Sequence, residues 1–205
     1  MDHDRGLGVA TSLLVLGRLL GEPPSERTAG MFSSPQFLSS WPVEGPGRDA
    51  LANSHWPGLP DATEEFTALL GPGGRIDLLE SSRVADPSVE TLWAELQTDV
   101  PPHDATPAAD VAPDHLARQI EWLAESTIGC ITGAAADGPS IPSTPLAARL
   151  ADVRDRHVVP IAHAVARELR QFATCSPYQV IPDLLIDTLD AHAQLLPEPP
   201  VMSPS

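Results

Sequence analysis

Proline occurs 23 times in 205 residues, about twice its usual frequency, and this load restricts the fold more than any other feature of the chain. Each proline removes a ladder donor from a sheet, whereas a helix tolerates one at its first turn. Helices punctuated by proline-rich loops therefore fit, and a central sheet does not. The apolar residues agree. Leu7, Ala10, Leu13, Leu14, Gly17 and Leu20 recur at helical spacing, with Val15, Leu16 and Leu19 on the flanks, which predicts a buried central helix. No segment alternates convincingly as a strand, and no internal repeat is present. With 42% hydrophobic residues, a chain of this length can build one sizeable core. The expected architecture is an all-α, single-domain helical bundle over residues 1–197, a monomer or weak dimer. A flexible connector is expected at 134–145, where neighbour swapping is a hazard, and a disordered tail at 198–205.

Breakers and caps divide the chain. Glu22-Pro23-Pro24 ends the first helix, and Ser25 caps a short one leading to Met31, Phe32, Phe37 and Leu38. Residues 42–60 read as loop with at most a turn of helix. Asp61 and Glu64 have capping-box spacing for a helix through Phe66, Leu69 and Leu70, stopped by Gly71-Pro72-Gly73-Gly74. Asp86-Pro87 opens a helix carrying Val89, Leu92, Trp93 and Leu96. Pro113 opens another, lined by Leu116, Ile120, Leu123 and Thr127, which fades at Gly129–Gly133. The stripe from Leu146 to Phe172 should be kinked or divided at Pro160. Ser176, Pro177 and Gln179 announce the last helix, with Pro182 shifting its start by a turn.

All twelve basic residues are arginine, against 28 acids, for a net charge of −16. That balance excludes non-specific nucleic-acid binding; it fits solvated helix faces, or attraction of a cationic partner. Cys130 and Cys175 stand apart and read as small buried hydrophobes in a reducing compartment. The Leu7–Leu20 run follows Asp2 and Asp4, contains Arg18, and is too short for a membrane span. It is not read as a secretion signal, and the expected location is cytoplasmic. The histidines are scattered without metal-ligand spacing, the glycine run lacks a Lys-Ser/Thr ending, and no GxSxG elbow occurs. Binding is expected rather than turnover, with no metal.

In Ala112-Pro113-Asp114-His115-Leu116, an acid and a histidine share a predicted helix start. Helix-start chemistry accounts for them if Pro113 presets φ and Asp114 complements the dipole. The same residues, however, resemble the TorD/DmsD/NarJ redox-enzyme maturation chaperones, whose hallmark is Glu-Pro-Asp-His before an apolar helix. Glu121, Trp122 and Leu123 follow as in that family's helix. Leu13–Leu20 with Glu22-Pro23-Pro24, and the segment ending at Trp41, look like its N-terminal region. Phe66, Leu69, Gly71 and Pro72 resemble its aromatic-x-x-Leu-Phe-x-Gly-Pro segment, Glu80-Ser81 the Glu-Ser that follows. Arg154, His157, Pro160 and Pro177-Tyr178 occupy its later signatures. The resemblance runs from about Leu13 to Leu196. Ala112 replaces the family's glutamate, Arg83 stands where an aromatic is common, and Ile161 replaces a usual tryptophan.

The resemblance implies a cytosolic helical chaperone, with no cofactor of its own, that holds the N-terminal twin-arginine leader of a molybdopterin-dependent oxidoreductase during cofactor insertion, before export. It implies a leader site drawn from Pro113, Asp114, His115, Glu80 and Ser81, with Trp93, Trp122 and Phe66 as apolar lining or, alternatively, plain core. Asp114 and His115 are expected to be partly exposed, so that Asp114→Asn costs only about 0.3–1 kcal/mol through the helix dipole. The competing readings are an assembly chaperone for a non-exported molybdoenzyme, an acidic helical adaptor, and a nucleotide hydrolase.

Overall fold

The computed structural model describes residues 3–99, 111–137 and 145–196. Among them no strand occurs, and the all-α, single-domain expectation holds. Helix α1 (His3–Gly21) is the central element, with Leu13, Leu16 and Leu20 wholly buried. Each such side chain contributes about 1.5–3 kcal/mol by leaving water. Helix α8 (Leu116–Asp137) packs along it, as does α11 (Ile181–Ala193). The approach to α8 is close because a Cβ on Gly17 would lie 2.9 Å from the Glu121 side chain.

Helix α2 (Glu26–Phe32) starts as expected at Ser25, whose hydroxyl accepts from the Thr28 N–H at 3.2 Å. Pro35 opens α3 (Pro35–Ser39). The loop expected at 42–60 instead contains α4 (Pro46–Ala52), seven residues long and therefore more than a turn. Two tertiary contacts secure it. The Asp187 carboxylate on α11 accepts from the Gly47 N–H at 2.7 Å, and Gly47 packs directly on the α11 backbone. Helix α5 (Leu59–Leu69) begins two residues before Asp61, behind Gly58 at φ +116°, so the expected capping box is not its start.

After α6 (Glu80–Val84) comes α7 (Ser88–Asp99), where Asp86 accepts from the Ser88 N–H at 2.9 Å as the sequence predicts. Helix α8 starts at Leu116, three residues beyond Pro113, and continues past Gly133 to Asp137. The connector expected at 134–145 is therefore helical at 134–137, and Pro145 opens α9 (Pro145–Val153). The rest of the connector and the 198–205 tail lie outside the described residues.

The Leu146–Phe172 stripe is divided, as expected, just ahead of Pro160, which falls in the first turn of the second helix. A π-helical turn, Arg154–Val158, joins α9 to α10 (Val159–Phe172), and the Val159 N–H reaches back five residues to the Arg154 carbonyl. Pro160 has no N–H, and its ring would crowd the carbonyl four residues earlier; the widened turn relieves both problems. Helix α11 carries Pro182 in its first turn, the later start that proline predicts.

The core includes a histidine without solvent contact. His192 is 0% exposed, and its Nε2 lies 2.8 Å from the Thr127 hydroxyl. That hydroxyl already donates to the Leu123 carbonyl, so Nε2 carries the proton and Nδ1 is bare, without a partner among the described residues. Burial first, and the nearby Arg154 charge second, push its pKa down to about 3.

Two measurements follow. A Cβ on Gly47 would lie 2.4 Å from the Leu184 nitrogen, which is backbone and cannot swing aside. Gly47→Ala is expected to lower urea stability by about 1–3 kcal/mol, the overpacking range. For His192, the unfolded chain binds a proton near pH 6.5 while the folded chain stays neutral down to about pH 3, so stability falls on acidification. Between pH 7 and pH 5 this residue alone accounts for a loss on the order of 2 kcal/mol. Urea unfolding of wild type and His192→Gln across that interval is expected to show a shallower slope in the variant.

Candidate functional site

The site begins with a backbone pairing between two segments remote in sequence. Leu79 and His115 form an isolated antiparallel bridge, in which the Leu116 N–H donates to the Leu78 carbonyl at 2.9 Å and the Glu80 N–H to the Asp114 carbonyl at 3.2 Å. The Asp114 carboxylate then accepts from the Ser81 N–H at 2.8 Å. Asp114 thus caps α6 from another part of the chain, because Leu79 at that helix's start has no side-chain acceptor. On the other side of the bridge, His115 Nδ1 accepts from the Ala117 N–H at 3.2 Å and caps α8. A ring nitrogen that accepts carries no proton. Burial pushes the His115 pKa down to about 4, against the opposing pull of Asp114 and Asp77, so the ring is neutral near pH 7.

The pairing places Glu80 in the interior, 5% exposed. Three donors from three elements surround its carboxylate: Trp93 Nε1 of α7 at 2.8 Å, Gln119 Nε2 of α8 at 2.6 Å, and His157 Nδ1 of the π-helical turn at 2.7 Å. Trp93 meets Trp122 edge to face at 5.7 Å and His157 at 6.1 Å. Trp122 Nε1 donates to the Leu96 carbonyl at 3.0 Å, which ties α8 to α7. Beside this cluster, Arg83 grips Glu168 through two bonds of 2.9 Å, holding the Glu168 carboxyl below its ordinary range.

The sequence-predicted residues therefore separate into two places. Pro113, Asp114, His115, Glu80, Ser81, Trp93 and Trp122 converge on one network, with the Pro113 carbonyl accepting from Gln97 Nε2 at 2.7 Å. Phe66 packs elsewhere, against Tyr178 with ring centres 6.4 Å apart. The expected partial exposure of Asp114 is overturned: it is 1% exposed because the bridge folds α6 over it. Trp93 and Trp122, at 0% and 4% exposure, belong to the core. Pro113 precedes the helix it was expected to open.

Gln119 was missed, although a polar residue beside the apolar Leu116–Ile120–Leu123 stripe is a readable signal for a buried partner. In this arrangement Glu80 and Asp114 are both committed to internal donors, and His115 to a helix end. The partly open members are Pro113, His115, Ser81 and His157, the last with a side chain 23% exposed. Among the described residues no group of three His, Cys, Asp or Glu side chains is placed to hold a metal ion, and no helix is long and apolar enough to cross a membrane. No family model, no curated protein and no solved structure matches the chain.

Glu80→Ala leaves the buried Trp93 indole and Gln119 amide donors without an acceptor, takes the partner from the partly exposed His157, and is expected to cost about 2–6 kcal/mol in urea unfolding, the range for two unsatisfied buried donors. Asp114→Ala removes one cap and is expected to cost about 1–3 kcal/mol, above the dipole value expected from sequence.

Proposed function

We propose that this protein is a helical maturation chaperone that holds the N-terminal leader of a molybdopterin-dependent oxidoreductase. One observation carries the reading: three of the segments by which the chain resembles the TorD/DmsD/NarJ chaperones meet in space. Glu80-Ser81, Asp114-His115 and His157 are separated by up to 77 positions and are joined by direct hydrogen bonds. Such convergence is what a shared architecture requires of scattered motif residues.

On this reading the motif supports the binding surface from beneath. Asp114 holds α6 in place, and client arginines are met by solvent-facing acids above it. Asp77, exposed and close enough to oppose the lowering of the His115 pKa by burial, is one of these. The net charge of −16 draws a cationic leader toward the chain.

Calorimetric titration of a peptide bearing an arginine pair ahead of an apolar stretch tests the proposal. One peptide is expected to bind per chain, more weakly as salt rises. Asp77→Asn is expected to weaken binding about twofold to fivefold, the range of an exposed ion pair. Asp114→Asn is expected to lose affinity only as far as it loses fold, followed by melting curves. Absence of binding by the folded protein to such leaders overturns the reading. Equal affinity for a peptide lacking the arginine pair moves the client to a non-exported enzyme.

A further inference from the structure

We propose that the cleft between α1 and α2 binds a small apolar carboxylic acid. The two helices meet at Pro23-Pro24 and leave a cavity of about 300 Å³ between them, at the lower end of the roughly 300–1,000 Å³ of small-molecule sites. Leu14, Val15 and Leu19 line it from α1, Met31 and Phe32 from α2. Leu14, Val15 and Met31 are only half-buried, so the described part of the fold leaves apolar surface open in the cleft.

Charge selects the occupant. Arg18, Arg27 and Glu22 stand exposed in the lining, two cations to one anion in a chain whose overall balance is −16. Neither guanidinium makes a hydrogen bond or ion pair among the described residues; burial raises the pKa of the nearby Glu121 carboxyl, and Arg18 lies close enough to oppose that rise. The hydroxyls in the lining are already engaged: Thr11 donates to the Leu7 carbonyl at 2.8 Å, and Ser25 and Thr28 bond each other at 3.0 Å. A sugar-like ligand would find few free partners there. An apolar body with one carboxylate satisfies both the open leucine, valine and methionine surface and the guanidiniums, whose forked donors match a carboxylate. A leader with paired arginines would meet like charge in the same place, so this site is independent of the leader-binding reading.

The test titrates octanoate into the full chain, followed by calorimetry and by tryptophan fluorescence. Trp56 stacks on Phe32 at 5.8 Å and so reports on the cleft wall. Octan-1-ol and octylammonium serve as neutral and cationic counterparts. Saturable 1:1 binding of octanoate is expected, with weaker binding of the alcohol and weakest of the amine. Arg18→Gln and Arg27→Gln are each expected to weaken octanoate about twofold to fivefold with unchanged melting temperature, and Met31→Trp, which fills the cleft, to abolish binding. The proposal is overturned if octanoate does not saturate at millimolar concentration, if the alcohol or amine binds as tightly, or if both arginine variants bind like wild type. Displacement of octanoate by an arginine-pair leader peptide also overturns it, making the cleft the leader's seat.

Discussion

The Glu80 carboxylate, out of water and surrounded by three donors, is the interaction around which the α6–α8 half of the molecule is organised. Removing a carboxylate from water costs several kcal/mol, and the cost is offset only when fixed donors replace the lost hydration. Here they come from α7, α8 and the π-helical turn, so satisfying one side chain requires three elements to hold their relative positions. The Leu79–His115 bridge delivers Glu80 to that place. The π-helical turn serves the same end, carrying His157 inward while accommodating Pro160.

The apolar frame around this hub is simpler. Helix α1 supplies leucines that meet α8 on one side and α11 on another, and the small residues Gly17 and Gly21 bring α8 near. Inside the frame the Thr127 hydroxyl and His192 Nε2 answer each other, whereas His192 Nδ1, the Tyr178 hydroxyl and the Ser126 hydroxyl have no partner among the described residues. The paired groups are satisfied in one arrangement, so they hold the packing to it more strictly than leucine contacts alone.

The residues that carry the resemblance act in the fold as supports. Asp114 caps one helix, His115 another, and Glu80 joins three elements. A support of this kind shapes a surface without touching what binds there. On the proposed reading, client contact therefore belongs to exposed acids such as Asp77, whereas the sequence alone pointed to Asp114.

Much of the fold was legible because its signals are local. Apolar spacing marked α1, Ser25 marked α2, Asp86 marked α7, and Pro182 set the late start of α11. The all-α class followed from the same spacing and from prolines that a sheet would refuse. What escaped local reading depends on partners distant in the chain. Helix α4 exists where Gly47 meets α11 and Asp187 caps it, and the burial of Asp114 requires α6, 33 positions away. The π-helical turn answers a choice between breaking and widening that Pro160 alone leaves open. Spacing along one helix determines which face is apolar; which buried acid finds which donor is decided only when the elements come together, because desolvation and hydrogen bonding across them have no counterpart in the linear chain.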